Sequence, residues 1–387
     1  MPKVTIEPYQ VTADAYPYET ILELAMRLGI HINASCGGLG ACGKCKVILE
    51  KGEVQGEKVD GIYYKACTTV PLTDVVIRIP VESKYDRKAL LRKDRVLAKA
   101  IERKESFPLY SPLNWASLSL KPPSLEDNMP DLSRVLLALK PSVGDNFKVE
   151  LEFLRKLPHV LRAQAFRATF FWYEDPFTGY KLLFDLDKPE ISPLGVAIDL
   201  GTTTLQLELV DLSTGEVLAQ TSDYNPQISF GEDVISRIEF CKKKDGLKLL
   251  SERVKEKIHV LTEELLKQAG RSSSEVKLFS LAGNTVMTHL FLELEPRYLR
   301  EHPYVPVAQY YPPLLAKEIG FSPYSAVFQF SPSVASYVGG DITAGVLASF
   351  IAAEEDLTLF VDLGTNGEIV VGNRDFLMCA ACSAGPA

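Results

Sequence analysis

The stretch 36-CGGLGACGKC-45 puts Cys36, Cys42 and Cys45 on one glycine-filled loop, and Cys67 follows them. Four thiolates, three of them from a loop that wraps closely, are what the two irons of a 2Fe-2S cluster need. Gly37, Gly38, Gly40 and Gly43 let backbone N–H groups approach the sulfurs with no Cβ in the way. The reading is a chain that moves single electrons.

The spacing is C-x5-C-x2-C and then a lone cysteine, against C-x4-C-x2-C in plant-type ferredoxins. Structural zinc prefers two short C-x2-4-C knuckles. Of these four only Cys42 and Cys45 make one, and Cys67 has no close partner, which favours the cluster over its rivals, zinc and plain buried thiols. The five-residue first gap resembles the adrenodoxin-like branch of the ferredoxins. Outward from the loop, residues 2–7 alternate as a strand, 19–28 carry apolar residues at helical spacing before Gly29, and strands are expected at 46–50 and 75–79. This is the order of a β-grasp ferredoxin, expected to close near residue 82.

Composition bounds the rest. A chain of 387 residues with 46% apolar content has material for several cores. A net charge of -8 with no basic domain argues against a nucleic-acid partner. The N-terminus has no secretory pattern, and 342–353, the longest nearly apolar run, is shorter than the ~20 residues of a membrane span and is expected to be a buried helix. Cys241, Cys379 and Cys382 make no disulfide framework, and the expectation is a cytoplasmic, reducing setting; Cys379 and Cys382, a C-x2-C that could suggest redox chemistry, read as buried free thiols, and Cys241 as structural.

Four regions are expected: a ferredoxin domain at 1–82, a linker at 83–120, a small α+β middle domain at 121–192, and an ATPase-like α/β domain at 193–387. Residues 84–104 hold nine Lys/Arg against three Asp/Glu and read as a solvated linker helix, with acidic-partner docking as the alternative. Prolines recur from Pro108 to Pro130 and mark loops. From Gly195 a strand ends in Asp199, turns through Gly-Thr-Thr and continues into two more strands. The same grammar returns at 359–382, and between the copies lie helices, one of which runs from Leu247 to a stop at Gly270.

A strand that ends in Asp and turns through Gly-Thr surrounds an anion with N–H groups and hydroxyls and sets a carboxylate beside it for hydrated Mg²⁺. Two facing turns would clamp a nucleotide's phosphates. The pair resembles the phosphate motifs of the acetate-kinase, sugar-kinase, Hsp70 and actin superfamily, with its duplicated RNase-H-like lobes. That resemblance implies a first phosphate loop of Asp199, Gly201, Thr202 and Thr203 and a second of Asp362, Gly364, Thr365 and Gly367, with Asn366 in place of a second threonine.

Together with NPQISFGEDVISRI (225–238), AGNTVMTHLF (282–291) and CSAGPA (382–387), the ferredoxin and the paired turns resemble the ATP-dependent reductive activators of corrinoid proteins. The resemblance implies one-electron reduction of a corrinoid protein from Co(II) to Co(I), a 2Fe-2S cluster, ATP with Mg²⁺, and a low-potential electron donor protein. No catalytic residue is assigned, and a homodimer is left open. His31, His159, His259, His289 and His302 form no cobalamin motif, and His289 reads as a packing residue. The partner is expected at the loop edge, around Leu39 and Lys44 and remote from Lys277. The alternative is an electron-transfer or sensory ferredoxin module whose kinase-like part only binds nucleotide and a partner. A radical-dehydratase activator fits less well, because that family lacks a ferredoxin domain. Five residues follow Cys382, so the second lobe is expected to be incomplete, with Val361, Leu363, Ile369 and Val371 short of partners. The chain then reads as a fragment or as a half completed by another chain, weak in ATP binding by itself.

Overall fold

The computed structural model describes residues 1–30, 32–34, 38, 40, 43–80, 83, 111–144, 146–364 and 366–382. The first unit is a twisted sheet around one short helix. Strands β1 (Lys3–Glu7), β2 (Val11–Asp14), β3 (Lys46–Lys51), β5 (Lys58–Val59), β6 (Tyr63–Lys65) and β8 (Val75–Arg78) lie in the order β2-β1-β8-β3-β6-β5, and β4 (Val54–Gln55) pairs with β7 (Val70–Pro71) beside them. β1 and β8 are parallel and their other neighbours antiparallel, as a β-grasp requires. Val4, Ile6, Val47, Val75 and Ile77 alternate inward onto Ile21, Leu22, Leu24 and Ala25 of helix Ile21–Arg27. Thr20 and Glu23 close the helix start as a capping box, which satisfies two otherwise orphaned N–H groups. The basic run 84–104 lies outside the described residues.

The second unit is a four-stranded sheet ordered β10-β12-β11-β9, built from β9 (Leu113–Ser119), β10 (Phe147–Val149), β11 (Arg167–Glu174) and β12 (Lys181–Asp187). Helices Asp131–Val143 and Leu151–Ala163 cover one face through Val135, Leu139, Phe153, Leu157 and Leu161. β9 falls within the stretch read as linker, yet it pairs with β11 over seven residue pairs. Its alternation, Leu113 and Trp115 inward on one face, was hidden by the prolines on both sides. The other face packs on the third unit through Phe171, Tyr173, Phe184, Leu278 and Val327.

That third unit is a six-stranded sheet in the order β15-β14-β13-β16-β18-β17, from β13 (Leu194–Leu200), β14 (Thr204–Asp211), β15 (Val217–Tyr224), β16 (Val276–Gly283), β17 (Leu314–Leu315) and β18 (Val327–Phe330). β13 is antiparallel to β14 and parallel to β16. The 24-residue helix Gly246–Ala269 lays Leu250, Val254, Ile258, Leu261 and Leu265 on this sheet and ends at left-handed Gly270. At the seam to the second unit, fully buried Lys277 donates to Asp185 at 2.5 Å, and Lys156 reaches the same carboxylate at 2.5 Å. Lys277 is therefore a structural cation and no surface reference point. A second seam joins the first unit: Arg253 donates to the Arg27 carbonyl at 2.9 Å, at the open end of helix Ile21–Arg27.

The repeated grammar returns as a separate three-stranded sheet, β19 (Thr358–Leu363), β20 (Gly367–Gly372) and β21 (Leu377–Cys382). Helix Gly340–Ser349 leans on it where Gly345 leaves room for Phe360: a Cβ there would stand 2.5 Å from the ring. Expectation and structure part here. The 342–353 run is not a buried helix: it becomes this helix and a short turn, with Ile342 and Ile351 buried but Leu347 exposed. Cys379 and Cys382 are exposed, not buried, because all six residues of β21 face solvent among the described residues. Val361, Leu363 and Ile369 are exposed as well, and Val371 is half-buried. No helix among the described residues is long and apolar enough to cross a membrane.

Candidate cluster loop and carboxylate cleft

Two sites emerge from the residues singled out above. At the first, β3 begins just after Cys45, and a short turn, Ala66–Thr68, carries Cys67 from the end of β6. The Ala66 N–H donates to the Cys45 carbonyl at 2.8 Å. The antiparallel β3–β6 pairing thereby brings two distant thiols together, with their Sγ atoms 3.3 Å apart and Cys45 buried. Neither is in a disulfide. Cys36 and Cys42 lie outside the described residues, as does Leu39. Gly38, Gly40 and Gly43 have φ of 89°, 78° and 66°, a left-handed region that costs any other residue strain. A Cβ on Gly38 would stand 3.3 Å from Leu22 and 3.9 Å from the Cβ of Cys67. The donor set, two adjacent sulfurs with left-handed Gly38 beside Cys67, fits a thiolate-held iron-sulfur group.

The second site lies at the ends of β13 and β16. Asp199 sits one residue from the end of β13, opposite Ala282, and the chain then turns through Gly201, Thr202 and Thr203. A Cβ on Gly201 would stand 2.8 Å from the Thr204 carbonyl, so the turn needs glycine. Asn225 donates to the Gly201 carbonyl at 2.8 Å and receives the Gln227 N–H. Arg237, fully buried, donates to the Thr202 carbonyl at 2.5 Å and to Gly231 at 2.8 Å. Asn284 caps helix Thr285–Phe291 and donates to the Thr202 hydroxyl at 3.0 Å. These side chains come from the 225–238 and 282–291 phrases and serve as scaffolding under the first turn.

The second turn faces the first. Asp362 on β19 pairs in register with Glu368 on β20, and Gly364 and buried Gly367 frame the bend between them; Thr365 lies outside the described residues. Asp341 enters from the first turn of helix Gly340–Ser349, because Gly339 and Gly340 let the backbone touch Asn284 and Ser331, where Cβ atoms would stand at 2.4 and 2.5 Å. Asp199 remains open to solvent, yet protein surrounds it on most sides. That enclosure and the charges of Asp341 and Asp362 push its carboxyl up to about 7. Enclosure and Asp362 raise Asp341 to about 6, enclosure with Asp341 and Asp362 raises Glu368 to about 7, and enclosure raises Asp362. Among the described residues no cation forms an ion pair with any of the four. Nor does a group of three His, Cys, Asp or Glu stand ready around one ion. The cleft therefore concentrates like charge that a hydrated cation bearing further oxygens would relieve.

Sequence reading named Asp199 and Asp362 but missed Asp341, Glu368 and Asn284. Gly-Gly-Asp at a helix start was the signal for Asp341, and the hairpin register opposite Asp362 was the signal for Glu368. His289 is buried with Nδ1 at 2.7 Å from the Thr285 carbonyl and Nε2 accepting the Val307 N–H, and burial lowers its pKa. It is a packing residue. Burial likewise pushes the Cys241 thiol up to about 12.

Known protein families match the segments that carry both sites. Residues 4–72 match the 2Fe-2S iron-sulfur cluster binding domain, 102–181 the RACo linker region, 194–354 the RACo middle region, and 356–387 the C-terminal, ASKHA domain of RACo. Corrinoid activation enzyme RamQ of Eubacterium limosum is 26% identical over 95% of this chain and 58% of its own length. The [Co(II) methylated amine-specific corrinoid protein] reductase of Methanosarcina barkeri is 26% identical over 50% of the chain and 36% of its own length. A solved reductive activator for corrinoid, iron-sulfur protein superposes with a TM-score of 0.66 at 37% identity, over 100% of this chain and 64% of its own. The chain thus spans about three fifths of the length of the relatives that match it throughout.

Proposed function

We infer, for a chain that is a homologue of the reductive activators of corrinoid proteins and carries their series of domains, that it passes single electrons to a corrinoid protein and takes Co(II) to Co(I). The observation that carries this reading is the 3.3 Å approach of Cys45 and Cys67 across the β3–β6 pairing, beneath the left-handed glycines. Cys36, Cys42, Cys45 and Cys67 would hold a 2Fe-2S cluster, which when bound supplies a one-electron centre at low potential. An electron from such a centre is still uphill to Co(I), so nucleotide binding is the natural source of the shortfall.

At the cleft, Asp199, Gly201, Thr202 and Thr203 on one side and Asp362, Gly364, Thr365 and Gly367 on the other would receive the phosphates of ATP. Backbone N–H groups of these turns would meet the anion, while Asp199 and Asp362, with Asp341, would hold Mg²⁺ through its waters. Mg²⁺ keeps several waters and takes one or two carboxylates. Asn284 and Arg237 hold the Thr202 hydroxyl and carbonyl in place. Nucleotide can shift electron transfer only by its differential affinity for two arrangements of the chain. Such a shift could run through a series of contacts: Gln227, which contacts Arg237, donates to the Leu250 carbonyl, one turn before Arg253 and its bond to the ferredoxin helix.

The test is anaerobic mixing of this protein with a Co(II) corrinoid protein and a low-potential reductant, with Mg-ATP or without it. The Co(I) absorption band should grow only with both protein and nucleotide. Reduction that ignores nucleotide would return the chain to the electron-transfer module, and no reduction at all would refute the corrinoid reading.

A further inference from the structure

Beside the two described cysteines one cation is folded back onto the cluster loop. Lys65 ends β6, two residues before Cys67, and its backbone is held on several sides. Its N–H donates to the Glu57 carbonyl at 3.0 Å, and its carbonyl receives the Thr69 hydroxyl at 2.8 Å. The ammonium turns inward and donates to the Gly40 carbonyl at 3.3 Å and to Glu57 Oε2 at 2.9 Å. Its side chain is only 16% exposed, whereas that of Glu57 is 60% exposed. The neighbouring cation, Lys46, pairs with Asp60 at 2.5 Å over the Tyr63 ring.

We propose that the Lys65–Glu57 pair sets the reduction potential of the cluster that Cys45 and Cys67 help to hold. Reduction adds one negative charge beside a half-buried ammonium. The net charge near an iron-sulfur centre, and hydrogen bonding and exposure around it, set its potential. A cation fixed against the loop favours the reduced form; a carboxylate on its outer side opposes it, more weakly because water screens the exposed end. The two side chains thus act with opposite signs through one contact. A pure latch, whose only task is to hold Gly40, would show no such opposition.

The inference rests on the cluster reading, and the experiment separates the two. Midpoint potentials are measured by dye-mediated equilibration with dithionite as electron donor, at fixed ionic strength. The proteins are wild type, Lys65→Met, Lys65→Arg and Glu57→Gln, each with its iron content. Lys65→Met should lower the ratio of reduced to oxidised cluster at a fixed poise by about three- to tenfold, as expected for one unit charge at partly screened range. Glu57→Gln should raise that ratio, and Lys65→Arg should stay within about twofold of wild type by the same charge argument. Fully loaded variants with unchanged potentials, or Lys65→Met and Glu57→Gln moving in the same direction, would overturn the proposal while leaving the cluster reading intact. Should Lys65→Met fail to load iron, the sign of the Glu57→Gln shift still decides. Wild-type protein with no cluster signal would remove the cluster reading and this proposal with it.

Discussion

Replacing Asp199 by asparagine should stabilise the nucleotide-free protein at pH 8 and leave it nearly unchanged at pH 4. The carboxyl titrates near 7 in the folded cleft, against about 3.9 in an unfolded chain. A raised folded value means that folding favours the protonated form. The cost to stability is therefore absent below about pH 4, grows between pH 4 and 7, and is complete above pH 7. Taken at face value the difference amounts to about 4 kcal/mol. Asp199 is open to water, however, and solvent screening reduces such terms strongly. The working figure is about 1–2 kcal/mol, or a few degrees in the melting temperature of a unit of this size. Thermal unfolding of wild type and Asp199→Asn at pH 4, 6 and 8 measures it, with Mg²⁺ absent. A gain of equal size at pH 4 and pH 8, or a loss at pH 8, would refute the argument that Asp341 and Asp362 crowd this carboxylate. Adding Mg-ATP at pH 8 should then favour the wild type over the variant, since binding stabilises in proportion to affinity.

Lys277→Met should destabilise the protein by about 2–4 kcal/mol in denaturant titration, at the low end of the cost of breaking a buried pair because Lys156 stays on Asp185; a loss under about 0.5 kcal/mol would show that the seam does not depend on it. Gly38→Ala forces a Cβ onto a residue at φ 89° and should cost about 1–2 kcal/mol, read as faster iron loss on thermal challenge, whereas unchanged iron retention would mean that the loop adapts. Arg253→Ala should speed amide exchange across Ile21–Arg27 while changing global stability by less than about 1.5 kcal/mol; unchanged exchange there would show that the Arg253 bond does not hold the two units together.

What could be read in the sequence was the chemistry that one segment carries within itself. The cysteine loop, the Asp-Gly-Thr turns and the apolar stripe ending at Gly270 are local patterns, and the structure shows the strands and helices expected around them. What escaped was made by assembly. Asp341 and Glu368 matter because a Gly-Gly helix start and a hairpin register bring them to Asp199, and neither carries a motif. Strand β9 was lost among prolines because its partner, β11, lies some fifty residues away. The burial expected for Cys379 and Cys382 rested on their place in the third strand of the repeat, and that for Leu347 on an apolar run. Small and apolar residues are buried only where another layer covers them, and among the described residues no layer covers the outer face of the β19–β21 sheet.

The claim on which the rest depends is that the four cysteines bind a 2Fe-2S cluster. Anaerobically purified protein, analysed for iron, sulfide and zinc and by its visible spectrum, tests it directly. About two irons and two sulfides per chain with thiolate-to-iron charge-transfer bands, all lost in Cys67→Ser, is the result expected. About one zinc per chain with no such bands would contradict it.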